Sequence, residues 1–230
     1  MTNLVPIQQQ RATRRVLTAA PRPSVFAVRL GLSGIALSAL FMIQLTVVGW
    51  DRVGVLDTTM SFYVFEPGIG WMFGAAVLCM SVAGAGAMIG LRRVGLADRG
   101  AARLALALAV LGALLAAVFP TTLGEELTVS AQIHRYAAGV AFFCVPIAAF
   151  LITRQLADVG YLARYRKWLS ANVLVTSVLV VLFVTSHFGI VPELMQHLNG
   201  LFQRLLYVME LALFGQIVLL PLRFGLPATR

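Results

Sequence analysis

Long apolar stretches alternate along the chain with short polar segments. Each stretch is close to 20 residues, the length at which a helix rising about 1.5 Å per residue crosses the hydrocarbon core of a bilayer. Apolar residues fill successive positions rather than every second one, which argues against the strands of a β-barrel. We therefore predict six membrane-spanning helices, at residues 25–50, 69–91, 101–119, 133–153, 168–187 and 201–222.

The composition agrees with this pattern. Hydrophobic residues make up 60% of the chain and charged residues 12%, with a mean hydropathy of +0.88. Soluble domains average about 45–50% apolar and about 25% charged residues, so a soluble globular domain is excluded. Only two cysteines are present, Cys79 and Cys144, and both fall inside predicted helices, which excludes a disulfide framework.

The predicted organisation is an all-α, six-helix transmembrane domain at residues 25–222, flanked by two tails. Residues 1–24 form a basic tail without acidic residues, which we expect to be disordered and cytoplasmic, and residues 223–230 form a short cytoplasmic tail. The first apolar stretch is too long and begins too late for a secretory signal peptide.

The net charge of +9 reflects membrane orientation rather than nucleic-acid binding. All basic residues except Arg52, Arg135 and Arg204 lie on one side of the predicted spans, whereas most of the nine acidic residues lie on the other. The positive-inside rule then places both termini in the cytoplasm. The preference for Arg over Lys, with heavy use of Ala, Val, Leu and Gly, is typical of a GC-rich bacterial genome. We expect a multi-pass protein of a bacterial plasma membrane, with membrane lipids as partners and no nucleic acid.

Two local patterns predict further structure. Gly86 and Gly90 are four residues apart, as are Ala83 and Ala87, and this spacing of small residues lets helices approach closely. Internal packing is the simpler interpretation, and a homodimer or a larger membrane complex is the alternative. In the segment 188–200, we expect a short helix that begins near Pro192 and ends at Asn199-Gly200.

A set of residues, most of them toward the predicted external ends of the spans, has a pattern that resembles one family of integral membrane proteins. They are Ser61-Phe62-Tyr63, Trp71, Phe73, Phe119-Pro120-Thr121, His134, Pro146 and Gly200-Leu201-Phe202-Gln203-Arg204. Their order and spacing, over about residues 25–222, resemble the bacterial and archaeal family catalogued as domain of unknown function 998. Thr122 stands where the resemblance leads us to expect an acid, a role that Glu125 or Glu126 could take. The resemblance implies a fold and a membrane location, and its name records an uncharacterised function.

The sharpest chemical feature is a carboxyl in the middle of the last predicted span. Gln203, Tyr207, Glu210 and Phe214 are spaced to share one helical face. A carboxyl at this depth is costly unless it faces the interior of the bundle or a water-filled cavity. We call this face the polar stripe and predict that it points toward the interior of the bundle. There, Arg135 or His134 could reach Glu210.

All three histidines, His134, His187 and His197, lie toward the predicted external side. With nearby carboxylates they are weak candidates for a metal site, and His134 and His187 could ligate a b-type haem. The simpler interpretation is that each satisfies hydrogen bonds at a helix end. The chain has no metal-binding or nucleophile motif, so we predict no metal and no cofactor, and we find no positive case for an enzyme.

These features predict a polar pocket that opens outward. Its expected walls are Tyr63, Glu66, His134, Arg135, Gln203, Arg204, Tyr207 and Glu210. The favoured hypothesis is an uncharacterised membrane protein that binds a lipid or small amphiphile there or acts within a membrane complex. A proton-coupled small-molecule transporter centred on Glu210 is the second hypothesis, and an intramembrane enzyme or b-type haem protein using His134 and His187 is the third.

Overall fold

The computed structural model describes residues 23–96, 100–122, 128–157 and 159–224. Within these ranges the chain is helical and contains no strand. The α-helices are α1 (Val25–Val48), α2 (Trp71–Arg93), α3 (Gly100–Val118), α4 (Val129–Gln155), α5 (Ala163–His187), the short α6 (Glu193–Gln196) and α7 (Asn199–Phe224). Two 3-10 helices lie at Met60–Phe65 and Gly160–Leu162. Six of the α-helices, all except α6, are long and apolar enough to cross a membrane, so the protein is an all-α, multi-pass membrane protein.

The six predicted spans are confirmed, and the structure extends two of them toward their N-termini. Helix α4 begins at Val129, where the Thr128 side chain accepts a hydrogen bond from the Ala131 N–H. Helix α5 begins at Ala163 and includes polar residues before Trp168. The apolar pattern marks only the part of a helix that lies in hydrocarbon, so polar turns beyond the bilayer core escape it.

The predicted short helix is present, but the prediction of its end was wrong. Helix α6 follows Pro192, as expected, and ends at Gln196. Asn199 and Gly200, expected to terminate it, instead begin α7. A Cβ atom at Gly200 would lie 2.4 Å from the Thr58 carbonyl oxygen. Gly200 is therefore needed here for close backbone packing against another segment, rather than for a helix cap.

Helix α7 occupies the centre of the bundle. Helices α1 to α5 pack in sequence, each against the next, and α7 packs against α1, α2, α4 and α5. As a result, α7 contributes buried residues along most of its length, from Gly200 to Pro221. The helix that carries Glu210 is thus the one most enclosed by protein.

The small residues of α2 serve internal packing. A Cβ atom at Gly86 would lie 2.6 Å from the backbone nitrogen of Gly31 in α1, and one at Gly34 would lie 2.6 Å from the Cys79 carbonyl oxygen. Gly90 faces the ring of Pro221 in α7. This stripe is therefore covered by α1 and α7 of the same chain.

The segment between α1 and α2 folds over one end of the bundle and is held there by Arg204. We call this end, which also carries residues 188–198, the outer end, after the orientation predicted from the charges. The Arg204 guanidinium donates hydrogen bonds to the carbonyl oxygens of Val55 and Thr58, both at 2.9 Å, and to the Tyr63 hydroxyl at 3.3 Å. Tyr63 itself is 0% exposed.

The predicted tails fall largely outside the described residues, which begin at Pro23 and end at Phe224. At the boundary, the Ser24 hydroxyl accepts a hydrogen bond from the Ala27 N–H and caps the start of α1. The first long helix therefore begins at Val25.

The close approach of α1 and α2 predicts that Gly86→Ala destabilises the fold. The added methyl group would press on the Gly31 backbone, and overpacking of this kind costs about 1–3 kcal/mol of unfolding free energy. Unfolding in detergent, titrated with a denaturing surfactant and followed by circular dichroism, measures the change. Gly215→Ala is the matched control, since its Cβ would meet its nearest atom, Ile35 Cδ1, at 3.9 Å. Equal stability of the two variants would contradict the close packing of α1 on α2.

The contacts of Arg204 predict that Arg204→Ala loosens the segment between α1 and α2. Hydrogen bonds to charged groups contribute about 1.5–3 kcal/mol each, so amide hydrogen exchange in residues 55–63 should accelerate clearly. Arg52→Ala is the control, because the half-exposed ion pair of Arg52 with Glu66, at 3.8 Å, is expected to contribute little. Unchanged exchange in Arg204→Ala would show that the hydrogen bonds of Arg204 do not hold this segment.

Candidate functional site

A cavity of about 500 Å³ lies at the outer end, between the 3-10 helix Met60–Phe65, α4, α5 and the start of α7. We call it the outer cavity. Its polar lining comprises Thr59, Ser61, Thr121, Thr122, His134, Arg135, His187 and Gln203. Its apolar and aromatic lining includes Phe62, Tyr136, Val140, Phe142, Phe143, Phe183 and Phe188.

Near the outer cavity, the buried apolar residues are divided into two separate clusters. Most buried apolar residues form one cluster, but the outer half of α5 packs in a second cluster with Val180, Phe183, Phe202 and Leu206 at its centre. Phe142 of α4 and Phe183 of α5 meet edge to face, with ring centroids 5.6 Å apart, and both line the cavity. This aromatic pair links α4 to α5 on the apolar side of the cavity.

His134 joins the polar side of the outer cavity to the end of α3. Its Nδ1 lies 3.0 Å from the Ala116 carbonyl oxygen and 2.9 Å from that of Phe119. Because carbonyl oxygens only accept, Nδ1 donates, and it satisfies carbonyls that the end of helix α3 would otherwise leave unpaired. The second ring nitrogen, Nε2, is thereby left for an occupant of the cavity.

Gln203 is oriented by the 3-10 helix. The Met60 N–H donates a hydrogen bond to Gln203 Oε1 at 2.6 Å. Since a backbone N–H can only donate, the amide oxygen must face Met60, which leaves the Nε2 hydrogens as donors on a buried side chain.

A second, smaller cavity of about 40 Å³ lies deeper in the bundle, beside Glu210. We call it the inner cavity. Four residues, His134, Ala138, Phe142 and Gln203, line both cavities, and Tyr207 and Glu210 line the inner one alone. Glu210 is 0% exposed, and both of its carboxyl oxygens are buried without a hydrogen-bond partner.

The Tyr207 hydroxyl is hydrogen-bonded to Ser38 rather than to Glu210. The Ser38 hydroxyl donates to the Ala76 carbonyl oxygen at 2.6 Å, and its oxygen is paired with the Tyr207 hydroxyl. Since the Ser38 proton is used on Ala76, Tyr207 donates to Ser38. The hydrogen of Tyr207 is therefore directed to α1, and Glu210 does not receive it.

The structure brings together five of the eight residues predicted to line a pocket. His134, Arg135 and Gln203 line the outer cavity, and His134, Gln203, Tyr207 and Glu210 line the inner one. The stripe Gln203, Tyr207, Glu210 and Phe214 is buried, as its spacing predicts. Neither Arg135 nor His134 forms an ion pair or hydrogen bond with Glu210.

The other three predicted residues have structural contacts at the outer end. Tyr63 and Arg204 stack, with the guanidinium carbon 5.7 Å from the ring centroid, and they also share a hydrogen bond. Glu66 pairs with Arg52. None of the three lines the outer or the inner cavity. Arg204 and Tyr63 hold in place the segment that carries Thr59 and Ser61.

The three histidines are not gathered at one point. His187 lines the outer cavity with His134, whereas the exposed His197 does not. His187 accepts a hydrogen bond from the Asn199 amide at 3.4 Å. Among the described residues, no group of three His, Cys, Asp or Glu side chains could hold a metal ion. Glu125 and Glu126 lie outside those residues.

Sequence reasoning missed much of the lining of the outer cavity. Phe142, Phe143 and Phe183 stand within uniformly apolar helices, where nothing in the pattern separates a cavity wall from a lipid-facing surface. The sequence could have indicated Thr59 and Ser61 as lining residues. They are polar residues that precede a buried aromatic in a long connection, and this pattern indicates a segment folded onto the bundle.

Comparison with known proteins identifies a family and adds no activity. No curated protein and no solved structure matches the chain. The family model described as "Protein of unknown function (DUF998)" matches residues 33–219. This match takes in most of α1, the whole of α2 to α6 and α7 up to Leu219, and therefore both cavities. The chain belongs to the DUF998 family of proteins of unknown function.

Proposed function

We propose that the protein binds a lipid or a single-chain amphiphile in the outer cavity. The observation that carries the proposal is a cavity of about 500 Å³ with a polar side at the outer end and an aromatic side between two membrane-spanning helices. Ligand pockets of small molecules typically measure about 300–1,000 Å³ and combine apolar walls with a few polar groups.

The apolar side supports an occupant that reaches the cavity from the bilayer. Val140 and Phe143 of α4 line the cavity and are also exposed on the surface of the bundle. Phe188, just beyond α5, shares both properties. In a membrane, such residues border the acyl chains, so a hydrocarbon tail could pass between α4 and α5 without crossing a polar barrier.

The polar side favours an anionic head group. Arg135 carries a positive charge, and both Arg135 and His187 line the cavity. Ser61 adds a hydroxyl, and Gln203 adds amide hydrogens. A carboxylate or phosphate accepts hydrogen bonds from such donors. The transporter and haem hypotheses stay predictions from the sequence.

Filling the outer cavity should prevent binding. A photoreactive fatty acid, added to protein in lipid nanodiscs, should crosslink to peptides of α4 and α5, and Gly139→Phe should weaken its binding about tenfold or more. A Cβ atom at Gly139 meets nothing within 4 Å, so the fold should accept the ring, which would then occupy the cavity. Gly100→Phe is the matched control, since its Cβ also meets open space and it lies outside the cavity. Equal labelling of the two variants would refute this binding site.

Removing the charge of Arg135 should weaken binding of the anionic form selectively. Arg135→Gln is expected to reduce affinity for the fatty acid about fivefold, because partly exposed ion pairs contribute about 1 kcal/mol or less. Affinity for the uncharged methyl ester should stay the same. Arg154→Gln, at the opposite end of α4, serves as the control. An equal loss for both ligands would show that Arg135 contributes packing rather than charge.

A further inference from the structure

Among the residues that the structure describes, the Glu210 carboxyl has no hydrogen-bond partner. Both of its oxygens are buried without a hydrogen-bond partner, and the side chain is 0% exposed. A buried polar group without hydrogen bonds is costly, and an unpaired carboxylate is more costly still. Water or a bound proton is therefore needed at this position to make the carboxyl tolerable.

The groups around Glu210 offer it no counter-charge. Across the inner cavity, the titratable side chains that face it are His134 of α4 and Tyr207 of α7 itself. From α2, the Cys79 thiol is near enough to Tyr207 to interact with it electrostatically, and from α1, the Ser38 hydroxyl is paired with Tyr207. The inner cavity, at about 40 Å³, has room for on the order of two water molecules.

The two cavities meet at a narrow set of shared residues. His134, Ala138, Phe142 and Gln203 line both, so the inner cavity borders the outer one on this side. At this junction, His134 Nδ1 and Gln203 Oε1 are used in hydrogen bonds to the backbone. The polar atoms that remain are His134 Nε2 and the Nε2 hydrogens of Gln203. An acceptor and a donor at one junction are suited to ordering water between the cavities.

Packing is tight on the other side of Glu210. Phe214, one turn further along α7, is 1% exposed, and its ring lies 3.1 Å from the position of a Cβ at Gly84. Ile217 and Val218 continue this buried apolar surface. Water that reaches Glu210 is therefore favoured to come from the outer end.

We propose that Glu210 is a proton-binding site that exchanges its proton with the outer end of the bundle, through water held between His134 and Gln203. A proton from the outer cavity passes along this water to a carboxyl oxygen of Glu210, which then becomes the neutral acid, and it leaves by the same route. This site goes beyond the proposed binding of an amphiphile and does not depend on it.

Infrared spectroscopy of the protein in nanodiscs tests the proposal. At neutral pH, the wild-type protein should show the C=O band of a protonated carboxyl, and Glu210→Gln should lack it. Transfer to D₂O should shift this band as the proton exchanges. Absence of a band that depends on Glu210 would overturn the proposal, and so would a band that does not shift.

Two variants at Ala138 test the route. Ala138→Leu should fill the junction and slow the shift in D₂O about tenfold or more. Ala138→Ser, which is small and polar, should keep the wild-type rate. Thermal unfolding in detergent verifies that both variants are folded. If Ala138→Leu is folded and exchanges as fast as Ala138→Ser, the proton does not pass between the cavities, and the proposed route is refuted. Photoreactive fatty acid labelling of Glu210→Gln should be unchanged, which separates this site from the amphiphile site.

Discussion

The rest of the structure depends on keeping the polar stripe of α7 away from lipid. Hydrocarbon cannot hydrogen-bond Gln203, Tyr207 or Glu210, so a helix that carries all three on one face must turn that face toward protein. In this bundle the polar face of α7 is kept from lipid because α7 packs against α1, α2, α4 and α5. Glycines make the enclosure possible, because Gly34 and Gly86 let α1 approach α2 to backbone contact, and Gly31 leaves room on α1 for Val218 of α7. The order of the helices in space thus follows from a few polar groups on the last of them.

The outer end shows how loops complete such a bundle. Arg204 bonds backbone carbonyls of the segment between α1 and α2 together with the Tyr63 hydroxyl, and it pairs with no carboxylate in the described part of the chain. That segment then presents Thr59 and Ser61 to the outer cavity and supplies the Met60 N–H that orients Gln203. A half-buried arginine of this kind would be easy to mistake for a ligand-binding residue, although its contacts hold the polar wall of the cavity in place.

The two cavities share part of their lining. The outer cavity offers a volume suited to an amphiphile, and the inner cavity offers a carboxyl without a partner. Because His134, Ala138, Phe142 and Gln203 belong to both, an occupant of the outer cavity would sit on the entrance to the inner one.

The sequence by itself determined the class of protein, the six spans and the inward face of α7, because apolar length, helical spacing and the cost of a buried carboxyl are local properties. The sequence also determined that Gly86 and Gly90 lie at a close helix contact. It did not determine which helices they contact. Tertiary structure alone decided that Arg204 bonds the segment between α1 and α2, that Glu66 pairs with Arg52, that Asn199 and Gly200 start a helix, and that Phe142 and Phe183 border a cavity. These outcomes depend on which residues meet across distant parts of the chain. In an apolar span, a residue that faces lipid and one that faces a cavity satisfy the same local rule, so only the packing of the helices distinguishes them.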